Sequence, residues 1–214
     1  TLKDLFMAFD QKEPSFYVTY FMFTSEENGE DKDKAAPSIM PGGFAVIKDN
    51  RLCQYLNREQ SRGVNWVTGE IKSSSMVVAD PFGGKVSLEV LKAHSDIKTR
   101  FIGDKPEVEI KVNVTSQLNE LMSSKAVITN AYAHDLERAQ NEFIKSEVES
   151  VLLFAQENKT DIFEIGDKIY HQHPIKWKAV KSNWDSIFQD LQIRIAVRST
   201  IMRTGIFKDF NDSR

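Results

Sequence analysis

Apolar positions recur at helical spacing across residues 135–159. They are Leu136, Phe143, Ile144, Val148, Val151, Leu152 and Ala155. Charged residues, including Glu137, Glu142 and Glu147, occupy the positions between them. This periodicity predicts an amphipathic helix of several turns. Because burial contributes roughly 1.5–3 kcal/mol per large apolar side chain, we expect the apolar stripe to be covered and to anchor the fold.

Two segments with a period of two residues flank this helix. Residues 106–115 alternate Val and Ile with polar residues, and residues 191–201 do the same. Each segment predicts a strand with one apolar and one polar face. The three segments together predict an α+β fold. Its mostly antiparallel, twisted sheet has one face covered by the long helix and by shorter helices.

The rest of the chain predicts further short elements. Strands are expected at residues 16–23, 42–47, 52–56, 70–79, 85–93 and 96–102, and helices at 2–9, at 57–67 and from residue 161. The aromatic-rich run at 16–23 predicts a buried strand. Asp161 and Glu164 have the spacing of a capping box, and Pro174 should end that helix at His173. Because hairpin follows hairpin, most strand pairs should be antiparallel.

The charged segment at residues 24–41 is the best candidate for a loop or linker. We therefore interpret residues 1–41 as the tail of a preceding domain followed by a charged loop. Residues 42–210 form the main unit, with a further boundary expected near residues 80–85. Because the chain begins with Thr1 rather than Met, we expect a fragment or a processed product.

The composition excludes several classes of protein. The 214 residues are 41% hydrophobic and 28% charged, which is typical of a folded, soluble chain. A net charge of −3 gives no general attraction to nucleic acid. Cys53 is the one cysteine, so the sequence excludes an internal disulfide framework and a Cys-rich zinc site. Its strand setting predicts a buried thiol.

No catalytic constellation emerges from the motifs. His171 and His173 are two residues apart, a spacing that points them in different directions on a helix. The Gly-Gly pairs at 42–43 and 83–84 match no phosphate-binding pattern. Among the carboxylates, only Asp161 and Glu164 lie in an apolar setting that would favour a raised pKa, and a role in helix capping already explains their presence. We therefore predict no catalytic, cofactor-binding or metal-binding residues, and no enzyme.

A locally basic C-terminal quarter is the candidate partner surface. Its predicted members are Trp177, Lys178, Lys181, Arg194 and Arg198. Such a surface would receive an acidic partner or anionic lipid head groups. The alternative is that these side chains form an ordinary solvated strand face and helix surface.

Four stretches resemble segments of one known family. Residues 42–57 read GGFAVIKDNRLCQYLN, residues 62–71 read RGVNWVTGEI, and residues 161–188 read DIFEIGDKIYHQHPIKWKAVKSNWDSIF. With Arg203, Thr204 and Gly205 after the last strand, they are similar to the GerAC-like C subunits of spore nutrient germinant receptors.

This resemblance implies a non-enzymatic lipoprotein. Such a subunit would be tethered by an N-terminal lipid-modified cysteine to the outer face of the spore inner membrane. There it would assemble with the membrane-embedded A and B subunits. The anchor would lie upstream of this chain, because Cys53 stands inside a predicted strand. The resemblance leaves one alternative open, a sensor domain that binds the small-molecule germinant directly in a cleft between domains.

Overall fold

The computed structural model describes residues 15–25, 37–71, 73–121 and 129–202. Within these ranges the strands are β1 (Ser15–Ser25), β2 (Pro37–Lys48), β3 (Arg51–Tyr55), β4 (Ser74–Ala79), β5 (Lys85–Ile102), β6 (Lys105–Leu121) and β7 (Gln192–Met202). The α-helices are α1 (Arg58–Thr68), α2 (Asn130–Glu157), α3 (Ile165–Gln172), α4 (Pro174–Val180) and α5 (Trp184–Gln189), with a 3₁₀ turn at Lys181–Asn183. The predicted helix at 2–9, residues 26–36 of the charged segment and residues 203–205 of the resemblance lie outside the described residues.

The main sheet contains the two alternating segments as neighbours. Its strand order is β4-β5-β6-β7, and β4, β5 and β6 pair antiparallel. The β6–β7 pair is parallel, from Glu107 opposite Gln192 to Gln117 opposite Met202. Parallel neighbours need a long crossover connection, which the helices between β6 and β7 supply. The predicted α+β class with largely antiparallel sheets is confirmed.

Helix α2 covers the apolar face of this sheet, as predicted. The covered side chains include Val108, Ile110 and Val112 of β6 and Ile144 and Val148 of α2, all buried. The helix is longer than predicted, because it begins at Asn130 rather than at residue 135. The Thr129 side chain caps it by accepting a hydrogen bond from the Tyr132 N–H (3.1 Å).

Strand β5 is one continuous strand where the sequence predicted two. Its pairing with β6 shifts register twice, and the second shift lies between Val90 and Lys92. Leu91 is the extra residue of a β-bulge there, and Leu91 and Lys92 are both exposed. A bulge interrupts the period-two pattern without ending the strand. The predicted break between residues 93 and 96 was therefore wrong.

Strands β1, β2 and β3 form a second, antiparallel sheet, whereas the sequence predicted a single sheet. Val46 is buried in the main core, and Tyr17 and Phe44 pack against that core. The other end of β1 is exposed, so the prediction of a buried strand at 16–23 is wrong there. The predicted burial of Cys53 is also wrong, because every residue of β3 is exposed.

The helix boundaries are defined by side-chain and left-handed caps, and one predicted cap is corrected. Asn57 and Gln60 form a capping box on α1, and Gly69 ends that helix in the left-handed region (φ 71°). Asp161 caps α3 by accepting hydrogen bonds from the N–H groups of residues 165 and 166. Glu164 has a left-handed φ of 55° and precedes α3, so the predicted 161–164 capping box is not formed. The helix ends before Pro174, as predicted.

The free edge of β7 is blocked by α2. The Asn141 side-chain oxygen accepts a hydrogen bond from the Ser199 N–H (2.8 Å). The Glu137 carboxylate accepts one from the Ile201 N–H (3.0 Å). These contacts occupy main-chain donors that an added strand would use. Partners are therefore expected on the faces of this sheet rather than along the edge of β7.

Candidate partner-binding surfaces

Trp177 packs at the helical side of the molecule. Its ring lies 5.3 Å from that of Trp184, and it is half-buried against the core. A Cβ at Gly166 would lie 2.9 Å from the Trp177 ring, so glycine allows α3 to approach this pair. Lys178 and Lys181 are exposed on the same helical segment. The Trp177 ring therefore packs mainly inside the molecule.

Arg194 and Arg198 lie on the open face of the main sheet, which the helices do not cover. Both side chains are exposed, and Arg194 is 3.9 Å from the Glu109 carboxylate. Because side chains alternate along β7, Arg194 and Arg198 point away from the face that carries Ile193 and Ile195, which pack against the core. The structure therefore divides the five predicted surface residues between the helical side and the open sheet face.

Several charges on the open face are paired, either between neighbouring strands or along one strand. Arg100 contacts the Glu107 carboxylate at 2.6 Å, and Lys111 contacts that of Glu109 at 3.1 Å. The hydrogen bond from Lys111 holds the pKa of Glu109 below its usual range. This part of the face is a mixed, largely self-neutralising surface.

One end of the open face is different. Lys92, His94, Asn113, Thr115, Arg198 and Thr200 line a shallow depression of about 460 Å³, which we call the basic depression. Neither Lys92 nor Arg198 forms an ion pair with any residue in the described ranges. The sequence pointed to Arg198 alone, because Lys92, His94, Asn113 and Thr115 come from strands that are distant from β7 along the chain.

The second sheet carries an exposed apolar surface. The apolar sheet surface consists of Phe21, Met22, Phe23, Ile39, Met40, Leu52 and Tyr55, each between 42% and 78% exposed. Because neighbouring strand residues alternate in direction, this surface extends over both faces of the sheet. Phe21, Phe23 and Ile39 lie together on one face, because Phe23 pairs with Ile39. Neighbouring exposed apolar side chains of this kind are typical of protein–protein contact sites.

Glu147 is a buried carboxyl that the sequence placed on the exposed side of α2. It contacts the Arg62 guanidinium and accepts a hydrogen bond from Trp66 Nε1 (2.8 Å). Burial raises the pKa of Glu147, although both of these partners favour the charged form. The group links α1 to α2.

Asp161 is the other carboxyl, among the described residues, whose pKa is raised. It accepts hydrogen bonds from the N–H groups of Ile165 (2.9 Å) and Gly166 (2.7 Å) and from Trp184 Nε1 (3.0 Å). Burial raises its pKa against these three donors. Its acceptor oxygens are engaged in holding α3 and α5 together.

The histidines of the C-terminal half contact different partners. His171 lies 3.3 Å from the Asp167 carboxylate, whereas His173 Nε2 lies 3.1 Å from the Thr99 carbonyl oxygen. Across the described ranges, no three His, Cys, Asp or Glu side chains come together as a metal site. No helix in those same ranges combines the length and the apolar character needed to span a membrane.

The sequence model of one protein family, described as spore germination B3/GerAC like, C-terminal, matches residues 42–205. The chain belongs to this family. It is 29% identical to spore germination protein B3 of Bacillus subtilis (strain 168) over 167 residues, which is 76% of this chain. It is 25% identical to spore germination protein KC of the same organism over 186 residues, which is 85% of this chain.

The GerAC-like fold is also found in a solved structure. The crystal structure of the GerBC protein superimposes with a TM-score of 0.73 at 25% sequence identity, covering 88% of this chain and 57% of that protein. The chain spans 44% of the length of the B3 protein and 45% of that of the KC protein. The family assignment thus concerns the C-terminal part of these longer germination proteins.

Proposed function

We propose that this GerAC-like protein is a non-enzymatic subunit of a spore germinant receptor. It acts by assembling with the membrane-embedded A and B subunits at the outer face of the spore inner membrane, to which a lipid anchor outside this chain tethers it. The observation that carries this proposal is the family match across residues 42–205. Membership in a family of germination proteins supports a role in germination.

The chemistry of the described residues supports association rather than catalysis. Glu147 and Asp161, the two carboxyls whose pKa burial raises, are both bonded to side-chain or main-chain donors that hold helices together. The accessible features are instead the apolar sheet surface and the open sheet face. Such surfaces bind through a few well-buried anchors rather than through their whole area.

We propose that the apolar sheet surface contacts the part of a longer protein that would precede this chain. Five of its seven residues lie within residues 1–41, on β1 and the first part of β2. The greater length of the B3 and KC relatives supports this assignment, because it provides a chain that could cover the surface. Replacing Phe21 and Phe23 with Ser should then speed proteolysis between domains of the longer protein. Unchanged proteolysis would argue against this contact.

For the partner surface we retain the five basic and aromatic residues of the C-terminal quarter. Because the structure separates them, two charge-reversal pairs can be compared. Lys178→Glu with Lys181→Glu alters the helical side, and Arg194→Glu with Arg198→Glu alters the open sheet face. Each pair replaces exposed side chains, so the domain should remain folded.

The assembly experiment is a pull-down of the A and B subunits from spore membranes with the wild-type protein and both variants. We expect at least one charge-reversal pair to reduce recovery of the membrane subunits, with far-ultraviolet circular dichroism unchanged. Full recovery with both variants would remove these residues from the partner surface. Failure of the wild-type protein to recover any membrane subunit would contradict the proposed function itself.

A further inference from the structure

The basic depression is assembled from two adjacent rows of the main sheet. In one row His94 of β5 lies opposite Asn113 of β6, which lies opposite Arg198 of β7. In the next row Lys92, Thr115 and Thr200 stand in the same relation. Neighbouring strands are about 4.8 Å apart, and successive residues on one face of a strand are about 6.7 Å apart. The six polar side chains therefore arise from an area of about 10 by 7 Å on the open face.

The β-bulge at Leu91 places Lys92 in this group. Val90 is fully buried on the covered face of the sheet. Without the extra residue, position 92 would follow the same alternation and point toward the core. The bulge instead puts Lys92 opposite Thr115 and on the open face. Bulges commonly redirect a side chain next to a functional site.

The lining offers hydrogen-bond donors with an excess of positive charge. Arg198 supplies a planar fork of N–H groups, Lys92 an ammonium group, and Asn113 an amide. Two threonine hydroxyls and the ring nitrogens of His94 complete the set. Tetrahedral oxyanions use such a set more fully than carboxylates, because they present three or four acceptor oxygens rather than two.

The surroundings limit the size of the ligand. Glu89, in the row beyond Lys92, accepts a hydrogen bond from Gln117 (2.7 Å). Asp96, in the row beyond His94, is 3.7 Å from Lys98. These acids and the paired charges beyond them prevent an extended positive surface. A polyanion such as nucleic acid, or an anionic membrane, would meet carboxylates on both sides.

We propose that the basic depression is a binding site for a compact phosphate-type oxyanion, either free or carried by a small molecule. Arg198 and Lys92 provide the charge, and Asn113, Thr115 and Thr200 provide directional hydrogen bonds. The proposal rests on the arrangement of these side chains and does not depend on the receptor assignment.

The test is an NMR titration of the ¹⁵N-labelled protein with inorganic phosphate at constant ionic strength. We expect saturable shifts of the amide signals around residues 92–94, 113–115 and 198–200. Sodium chloride and sodium acetate at matched ionic strength should give smaller, non-saturating shifts. Vesicles containing phosphatidylglycerol should show no more binding than neutral vesicles.

Two variants and a control separate this site from general electrostatic attraction. Arg198→Gln and Lys92→Gln should each weaken phosphate binding by about tenfold, since each removes a charge-assisted hydrogen bond. Lys178→Gln removes an exposed positive charge elsewhere and should leave the affinity unchanged. The spectra themselves report whether each variant is folded.

Three results would overturn the proposal. The first is the absence of saturable phosphate shifts in the wild-type protein. The second is an equal loss of affinity in Lys178→Gln. The third is binding of anionic vesicles or acetate as strong as that of phosphate, which would assign the depression to a different class of ligand.

Discussion

Gly63 determines how closely α1 and α2 approach each other. It is buried, and a Cβ at this position would clash with the main-chain carbonyl oxygen of Glu147. Because that obstacle is backbone, Gly63→Ala must push the helices apart. We expect a net loss of about 1–3 kcal/mol in the free energy of unfolding, measured by urea denaturation. The exposed Arg58→Ala on the same helix is the control, and equal stabilities of the two variants would contradict this packing.

Glu147 makes the stability of the protein depend on pH. Because burial raises its pKa above the usual 4.5, the folded protein retains this proton to higher pH than the unfolded chain does. The contribution of Glu147 to the free energy of unfolding therefore falls as pH rises from 4.5 through the folded-state pKa. Glu147→Gln removes this titration.

The expected result is that the stability of Glu147→Gln relative to wild type increases as pH is raised through that interval. Urea denaturation at a series of pH values measures the difference. Glu142→Gln, an exposed position on the same helix, is the matched control. Parallel stability curves for Glu147→Gln and wild type would show that burial does not govern this carboxyl.

Cys53 should be accessible to reagents in the folded protein. It is exposed on β3, and its Sγ lies 3.9 Å from the Asn158 side-chain oxygen. A colorimetric thiol reagent should therefore titrate one thiol per chain without denaturant, the number that the sequence contains. Reaction only after unfolding would show that the Cys53 thiol is buried, as the sequence predicted.

Burial of these single residues could not be predicted from local pattern. Glu147 lies on the helix at a position that the charge pattern assigned to solvent, yet α1 covers it and supplies Arg62 and Trp66 as partners. Cys53 has apolar and polar neighbours typical of a strand, yet every residue of β3 is exposed. In both cases the burial of the side chain depends on whether an element distant in sequence packs against it.

At the scale of elements, α2 is the main support of the sheet. Ile144 is fully buried, whereas Leu153 on the same helix is 58% exposed. We expect Ile144→Ala to cost about 2–5 kcal/mol of stability and Leu153→Ala to stay within about 0.5 kcal/mol. Urea denaturation of both variants measures the contrast. Similar losses would mean that the helix does not cover the sheet through the face described.

The elements that could be predicted are those with an uninterrupted pattern. Strand β6 alternates buried and open positions from Pro106 to Leu118, and its apolar face was recognised from sequence. The bulge in β5 and the parallel pairing of β6 with β7 were not recognised. A bulge breaks the local alternation, and strand pairing depends on contacts between segments about 85 residues apart, on which periodicity carries no information.

At the scale of the whole molecule, the candidate sites arise from assembly of distant segments. The sequence identified Arg198 in a basic quarter of the chain but could not place it beside Lys92 and Asn113. It likewise grouped Trp177 with Arg198, although the fold separates them. The aromatic run at 16–23 was interpreted as core, whereas Phe23 is 78% exposed on the apolar sheet surface.

We propose that this protein acts by association within a germinant receptor. The most direct measurement is quantitative mass spectrometry of the affinity-tagged protein isolated from detergent-extracted spore inner membranes, with an untagged strain as control. We expect the membrane-embedded A and B subunits to be recovered with it in near-equal amounts. Recovery of the tagged protein from those membranes without either subunit would contradict it.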